Sequence, residues 1–243
     1  MKAMIFAAGK GTRLKPLTDK IPKALVQING VTLLEHTITK LKIAGITDII
    51  VNAHHFANQV IEFLQQKDFF GINIHISDES NELLDTGGGL KKASWFFNDS
   101  EPILLHNVDI MSNIDINAML VYHKETGAIA TLAIRKRESG RYLLFNKDLL
   151  LSGWENTKTG ETIIARNEEN TMPFAFSGVH IVNPELIQYL KPEKPYSIID
   201  TYLEIAKTCP IKAYLQTEGY WFDIGKPENL KNARDYFSQN KIL

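Results

Sequence analysis

A chain of 243 residues that is 44% hydrophobic can bury a full core, either as one large domain or as two closely fused lobes. Its formal net charge of -1 excludes a global attraction for nucleic acid, so any polyanion must be met by a local cluster of cations. One cysteine, Cys209, excludes an intrachain disulfide and a multi-cysteine zinc site, and no apolar run reaches membrane-spanning length; a reducing cytoplasmic setting without nucleic-acid or membrane partners is expected.

Ala3 to Ala8 reads as a buried strand that ends at Gly9, too short for the apolar region of a secretory signal. "VTLLEHTITKLKIAGI" has helical spacing of its leucines and isoleucines and a stop at Gly45. "DIIVNA", "ANQVIEFLQQK" and "INIHIS" then give strand, helix, strand. The alternation predicts an α/β fold with a largely parallel sheet covered on both faces and ligands beyond the carboxyl ends of its strands. "PILLHNVDI" is a further strand, followed by a helix from about Asp115 to Lys124. From Ile129 short strand-like runs separated by polar turns predict antiparallel or mixed sheet, with Trp154 to Thr171 a loop or hairpin. "YSIIDTYLEIAKT" returns to helical spacing, "IKAYLQT" and "YWFDI" are strands, and "KPENLKNARDYFSQN" is a closing helix. No repeat or flexible linker divides the chain, so a single domain over 1–243 is expected, with lobes at 1–125 and 126–243.

Four stretches carry chemistry. In "AAGKGTR" a strand ends in a Gly-x-Gly turn, a backbone nest for an anion, and Arg13, Lys15, Lys20 and Lys23 follow on a segment that Pro16 and Pro22 keep out of helix. Such an extended basic loop can wrap a triphosphate. In "LLHNVDI" Asn107 and Asp109 stand two apart at a strand end, which places both on the same side. In "YWFDIGKPENL" Asp223 ends another strand, and strand-end carboxylates from distant parts of a chain are the usual protein ligands of Mg²⁺. In "LLDTGGGL" three glycines require bare backbone, for a nucleobase lying against it or for a turn before the helix at Lys91. The histidines show no metal-ligand spacing.

"FAAGKGTRLKPLTDKIPKAL" resembles the signature of the sugar-1-phosphate nucleotidylyltransferases, and "HNVDI" and "WFDIGKPENL" resemble that family's two metal-binding segments. The resemblance covers nearly the whole chain and implies a Rossmann-like α/β/α sandwich with a mostly parallel central mixed sheet and a smaller antiparallel sugar-binding lobe. It implies that Ala8, Gly9, Gly11, Thr12 and Arg13 bind the triphosphate, with Arg13 on the departing pyrophosphate, and that Lys23 neutralises the reacting phosphates. Asp109 and Asp223 are implied to hold Mg²⁺, Asn107 with Gly87 and Gly88 to line the nucleoside pocket, and Tyr142, Ser177 and Gly178 to fall in segments lining the sugar site. Val108 departs from the family pattern, where a glycine is usual before the aspartate.

The combination of "LDTGGGL", "LLHNVDI" and "FAFSGVHIVNPEL" is most similar to family members that use UTP and N-acetylmuramate 1-phosphate, with mannose- or glucose-1-phosphate guanylyl, uridylyl or thymidylyl transfer as alternatives. A lactyl carboxylate on the sugar calls for a cation, and Arg135, Arg137 and Arg141 in "IRKRESGRYLL" are candidates, with Arg141 preferred. A catalytically silent nucleotide-sugar sensor on the same fold is the alternative of another class. A monomer or small homo-oligomer is expected.

Overall fold

The computed structural model describes residues 1–192 and 194–240. In chain order the first half contains β1 (Lys2–Phe6), β2 (Gln27–Ile28), β3 (Val31–Thr32), α1 (Leu33–Ile43), β4 (Asp48–Ala53), α2 (Ala57–Gln66), β5 (Asn73–Asp78), α3 (Asp85–Lys92), β6 (Ile103–Asn107), β7 (Ile110–Ser112) and α4 (Ile116–Thr126). The second half contains β8 (Ala130–Arg135), β9 (Arg141–Phe145), β10 (Leu151–Asn156), β11 (Glu161–Ile164), β12 (Met172–Val182), α5 (Ile198–Ile205), β13 (Ile211–Leu215), β14 (Trp221–Asp223) and α6 (Pro227–Asn240).

From one edge inward the main sheet runs β5, β4, β1 and β6, all parallel. Side chains alternate across β1: Ala3 and Ile5 join one apolar cluster, Met4 and Phe6 the other. The first cluster takes Leu34, Leu64 and Leu230 from α1, α2 and α6, and the second takes Leu90 and Tyr202 from α3 and α5. The strand sequences are continuously apolar because both faces are covered. Helix starts are set locally: Thr32 Oγ1 accepts the Glu35 N–H at 3.1 Å ahead of α1, and Asp115 Oδ1 accepts the Ala118 N–H at 2.9 Å ahead of α4.

The antiparallel strands expected after Ile129 are present, and they extend the same sheet. β12 pairs antiparallel with β6, β8 and β9, and β9, β10 and β11 complete the edge as a meander. β13 runs parallel to β8. The polar segment expected as a loop or hairpin is a hairpin, β10 to β11. Among the described residues no helix is long and apolar enough to cross a membrane.

Three local expectations need correction. "PILLHNVDI" is not one strand: β6 ends at Asn107, Val108 and Asp109 form a turn, and β7 pairs separately with β14. The two-residue alternation that put Asn107 and Asp109 on one side therefore does not apply. The basic segment after Gly11 is not extended, but coils through short 3₁₀ turns at Thr12–Leu14, Leu17–Asp19 and Lys23–Leu25. Gly87, Gly88 and Gly89 lie inside α3, not in a turn before it, because close neighbours leave no room for side chains there.

Candidate active site

A cavity of about 620 Å³ opens beyond the carboxyl ends of β1, β4 and β6. Ala8, Gly9, Gly11, Thr12, Arg13 and Lys23 line it, as do Asn107 and Asp109. The first loop, the turn after β6 and a buried lysine are thus brought to one place.

The loop is held from two directions. Gly11 has φ +64°, and a Cβ there would stand 2.8 Å from Thr18 Cγ2 and 3.1 Å from Lys23 Cβ. Thr18 Oγ1 donates to the Gly11 carbonyl at 2.8 Å, so the chain folds back and delivers Lys23 to the cavity. Gly9 differs: a Cβ there would meet nothing within 4 Å, so no neighbour among the described residues requires glycine at that position. From below, Asn52 Oδ1 accepts the N–H groups of Ala7 at 2.7 Å and Ala8 at 3.3 Å. Asn52 Nδ2 donates to Glu79 Oε1 at 2.7 Å, and Glu79 Oε2 accepts the Leu84 N–H at 3.1 Å. Glu79 is fully buried, which raises its carboxyl pKa, opposed by its bonds to Leu84 and Asn52.

The two aspartates meet although 114 positions separate them (223 − 109). β14 pairs with β7, aligning Asp223 with Ile110, and the Ile224 N–H donates to the Asp109 carbonyl at 2.8 Å. Lys23 Nζ forms a close ion pair with Asp109 Oδ2. Asp223 Oδ1 is buried without a hydrogen-bond partner. Burial raises the Asp223 pKa, and the Asp109 carboxylate raises it further; Lys23, Arg13 and Arg137 pull the other way. Gly225 makes this approach possible, since a Cβ there would stand 2.7 Å from both Arg13 Nη2 and Asp223 Oδ1.

An orphaned buried carboxylate oxygen beside a second carboxylate fits a hard divalent cation that takes its remaining ligands from phosphates and water. Among the described residues no group of three or more His, Cys, Asp or Glu side chains could form an all-protein cage. This donor set suits Mg²⁺ better than a zinc-type site.

Other predicted residues stand elsewhere. Gly87 and Gly88 do not line the cavity, whereas Asp85 and Thr86 of the same helix do. A Cβ on Gly87 would fall 2.3 Å from the Tyr196 ring, and one on Gly88 would fall 2.2 Å from the Lys194 carbonyl oxygen, so these glycines seat the chain that precedes α5. Lys15 is exposed and pairs with Asp19, and Lys20 is also exposed. Arg141 is exposed at the start of β9, and the Tyr142 hydroxyl accepts the Ser139 N–H at 2.8 Å. Ser177 is buried with no partner for Oγ. Gly178, at φ +74°, lies where the β12 register shifts, against Ile110 and Asn107. Val108 is accommodated without strain: it keeps a negative φ, its N–H donates to the Phe6 carbonyl at 3.1 Å, and its side chain is in the core.

Sequence reasoning missed Lys10, Asn52 and Glu79. Asn52 carried a signal, as a polar residue at the carboxyl end of the strand "DIIVNA". Lys10 sits between the two glycines of the loop. Glu79 carried none, since an acidic residue in "SDESNE" reads as solvated.

Residues 2–240 match the family described as nucleotidyl transferase. The chain is 30% identical to an N-acetylmuramate alpha-1-phosphate uridylyltransferase of Caulobacter vibrioides over 93% of this chain and 92% of that protein. It is also 30% identical to a mannose-1-phosphate guanyltransferase of Kluyveromyces lactis over 94% of this chain, but spans only 62% of that longer protein. Among solved structures, UDP-glucose pyrophosphorylase from Acinetobacter baumanii superposes with TM-score 0.79 at 17% identity, over 99% of this chain and 94% of that one. HddC from Yersinia pseudotuberculosis complexed with GMP-PN superposes with TM-score 0.76 at 23% identity, over 97% and 99%. These structural likenesses establish the fold, a Rossmann-like mixed sheet flanked by helices. With its matched sequence spanning almost every residue, the chain belongs to the nucleotidyl transferase family and is an enzyme.

Proposed function

We propose that the enzyme transfers a nucleotidyl group from a nucleoside triphosphate to a sugar 1-phosphate, with UTP and N-acetylmuramate 1-phosphate as substrates and release of pyrophosphate. The observation that carries this reading is the meeting of Lys23, Asp109, Asp223 and Arg13 beside a cavity whose wall includes the bare backbone of Gly9 and Gly11. The pairing of β12 with both β6 and β8 supports reading the nucleotide and sugar lobes as one domain.

An oxygen of the sugar phosphate attacks the α-phosphorus in line, and the bond from that phosphorus to the pyrophosphate oxygen breaks. The nucleophile is already an anion, so no side chain has to take a proton. What the protein must supply is position and cancellation of repulsion between two polyanions. Lys23 and Arg13 serve that need, Arg13 on the departing pyrophosphate, while Asn52, by accepting the Ala7 and Ala8 N–H groups, fixes the loop whose next residues, Gly9 to Thr12, line the triphosphate cavity. Asp109 and Asp223 would hold Mg²⁺, which when bound neutralises charge on the phosphates. Asn107 stands on the nucleoside side, and Tyr142, Ser177 and Gly178 belong to the segments assigned to the sugar.

The choice of UTP and an acidic amino sugar rests on the Caulobacter relative, 92% of whose length is matched. Guanylyl transfer to mannose 1-phosphate is the second reading, favoured by Asp85 in the cavity wall, since a carboxylate can accept the N1 and N2 donors of guanine. A pyrophosphate-release assay with Mg²⁺ over four nucleoside triphosphates and several sugar phosphates tests both. The highest kcat/KM is expected for UTP with N-acetylmuramate 1-phosphate. A higher value for GTP with mannose 1-phosphate would replace the base and sugar, and no turnover with any pair would favour the silent sensor.

A further inference from the structure

Two arginines beside this site serve no ion pair among the described residues. Arg137 lies with its guanidinium 4.2 Å from the Trp221 ring centroid. Its Nη2 donates to the Phe176 carbonyl at 3.0 Å and its Nη1 to the Glu138 carbonyl at 3.2 Å, while Nε is buried with no partner. Arg135, two residues earlier, donates from Nη2 to the Gly219 carbonyl at 3.2 Å, and its Nη1 is buried with no partner. Neither contacts a carboxylate within ion-pair distance among the described residues. Burial lowers the pKa of both, and Arg135 lowers that of Arg137 further.

Two neighbouring like charges with buried, unsatisfied N–H groups are a costly arrangement, because an unpaired buried donor forfeits its hydration. An oxyanion would satisfy both. The surroundings say whose oxyanion it is. Trp221, under Arg137, is two residues before Asp223, and its Nε1 donates to the Ser177 carbonyl at 3.0 Å; Ser177 Oγ is another buried group without a partner. The Asp223 carboxylate also acts on Arg137. Arg13 and Lys23 line the triphosphate cavity, whereas Arg135 and Arg137 do not. We propose that Arg135 and Arg137 form a separate oxyanion site for the acceptor, receiving either its 1-phosphate or a carboxylate on its sugar ring. This rests on the acceptor being a sugar 1-phosphate, and it assigns the role to Arg137 with Arg135 in place of exposed Arg141.

The test is acceptor binding, by calorimetry, to enzyme saturated with a non-hydrolysable UTP analogue and Mg²⁺. Two acceptors are compared that differ by one carboxylate: N-acetylmuramate 1-phosphate and N-acetylglucosamine 1-phosphate. Arg137→Met and Arg135→Met are each expected to weaken binding about 10- to 100-fold, the loss of a charge-assisted pair, with Arg137→Lys intermediate. Thermal unfolding of each variant shows that it is folded. A loss with both acceptors assigns the arginines to the phosphate, and a loss confined to N-acetylmuramate 1-phosphate assigns them to the carboxylate. Wild-type affinity for both acceptors in folded Arg137→Met and Arg135→Met would overturn the proposal. Because binding is read without turnover, that result is distinct from an absence of pyrophosphate release, which would instead remove the proposed reaction.

Discussion

Asn52 Oδ1 accepts the backbone N–H of Ala7 at 2.7 Å, tying the loop that follows β1 to the end of the neighbouring strand β4. The same side chain donates to buried Glu79, so a single amide joins three segments. Asn52→Leu keeps the size but strands two N–H groups and a carboxylate oxygen in the interior. A loss of about 2–4 kcal/mol in unfolding free energy is expected, from these unsatisfied groups. Urea denaturation measures it, and a change below about 0.5 kcal/mol would show that the network does not hold the loop.

Gly88→Ala tests the reading of the glycine run. Its Cβ would fall 2.2 Å from the Lys194 carbonyl oxygen, a backbone atom that cannot step aside cheaply. Overpacking of this kind costs about 1–3 kcal/mol, and the melting temperature is expected to fall. Gly9→Ala meets no atom of the described residues within 4 Å and is expected to leave the melting temperature nearly unchanged while weakening triphosphate binding. Equal melting temperatures for Gly88→Ala and the wild type would contradict the packing role.

Acid sensitivity follows from two buried histidines. His106, whose Nδ1 lies 2.8 Å from the Asn107 carbonyl, and His180, whose Nδ1 lies 2.6 Å from the Tyr202 hydroxyl, are both pushed down to about 3 by burial. The unfolded chain takes up these protons near pH 6.5, before the folded one does. Their contribution is therefore complete above pH 6.5 and is lost progressively as pH falls toward 3. Glu79 and Asp223, both raised, act in the opposite sense as they protonate in the folded state. Stability measured from pH 7 to 4 is expected to fall, and less steeply in His180→Phe, whatever that variant's stability at pH 7. An identical slope in His180→Phe would show that His180 is not held neutral.

Many strands and helices were legible because they carry a local signal: apolar runs for β1, β4 and β6, the helical spacing of Leu33, Leu34, Ile38 and Leu41 with a stop at Gly45 for α1, and Asp115 for α4. What was not legible came from contacts distant in sequence. Nothing in "LLDTGGGL" announces Tyr196 and the Lys194 carbonyl, so the glycines read as bare backbone for a nucleobase or as a turn rather than as a close-packed helix. Arg141 and Arg137 lie in one charged run, and only the placement of Trp221 separates the arginine that turns inward from the one that stays in water. Asp109 and Asp223 were legible as strand-end carboxylates, but their meeting depends on the β7 to β14 pairing, which has no signature in either segment.

The central claim is that Lys23 and Asp109 act on a nucleotidyl transfer to a sugar phosphate. Pyrophosphate release, measured with and without the sugar phosphate, tests it in the wild type, Asp109→Asn and Lys23→Met, each confirmed folded by thermal unfolding. The wild type is expected to release pyrophosphate only with Mg²⁺ and both substrates, and each variant to be slower by at least about 100-fold. Release that ignores the sugar phosphate, or wild-type rates in both folded variants, would contradict it.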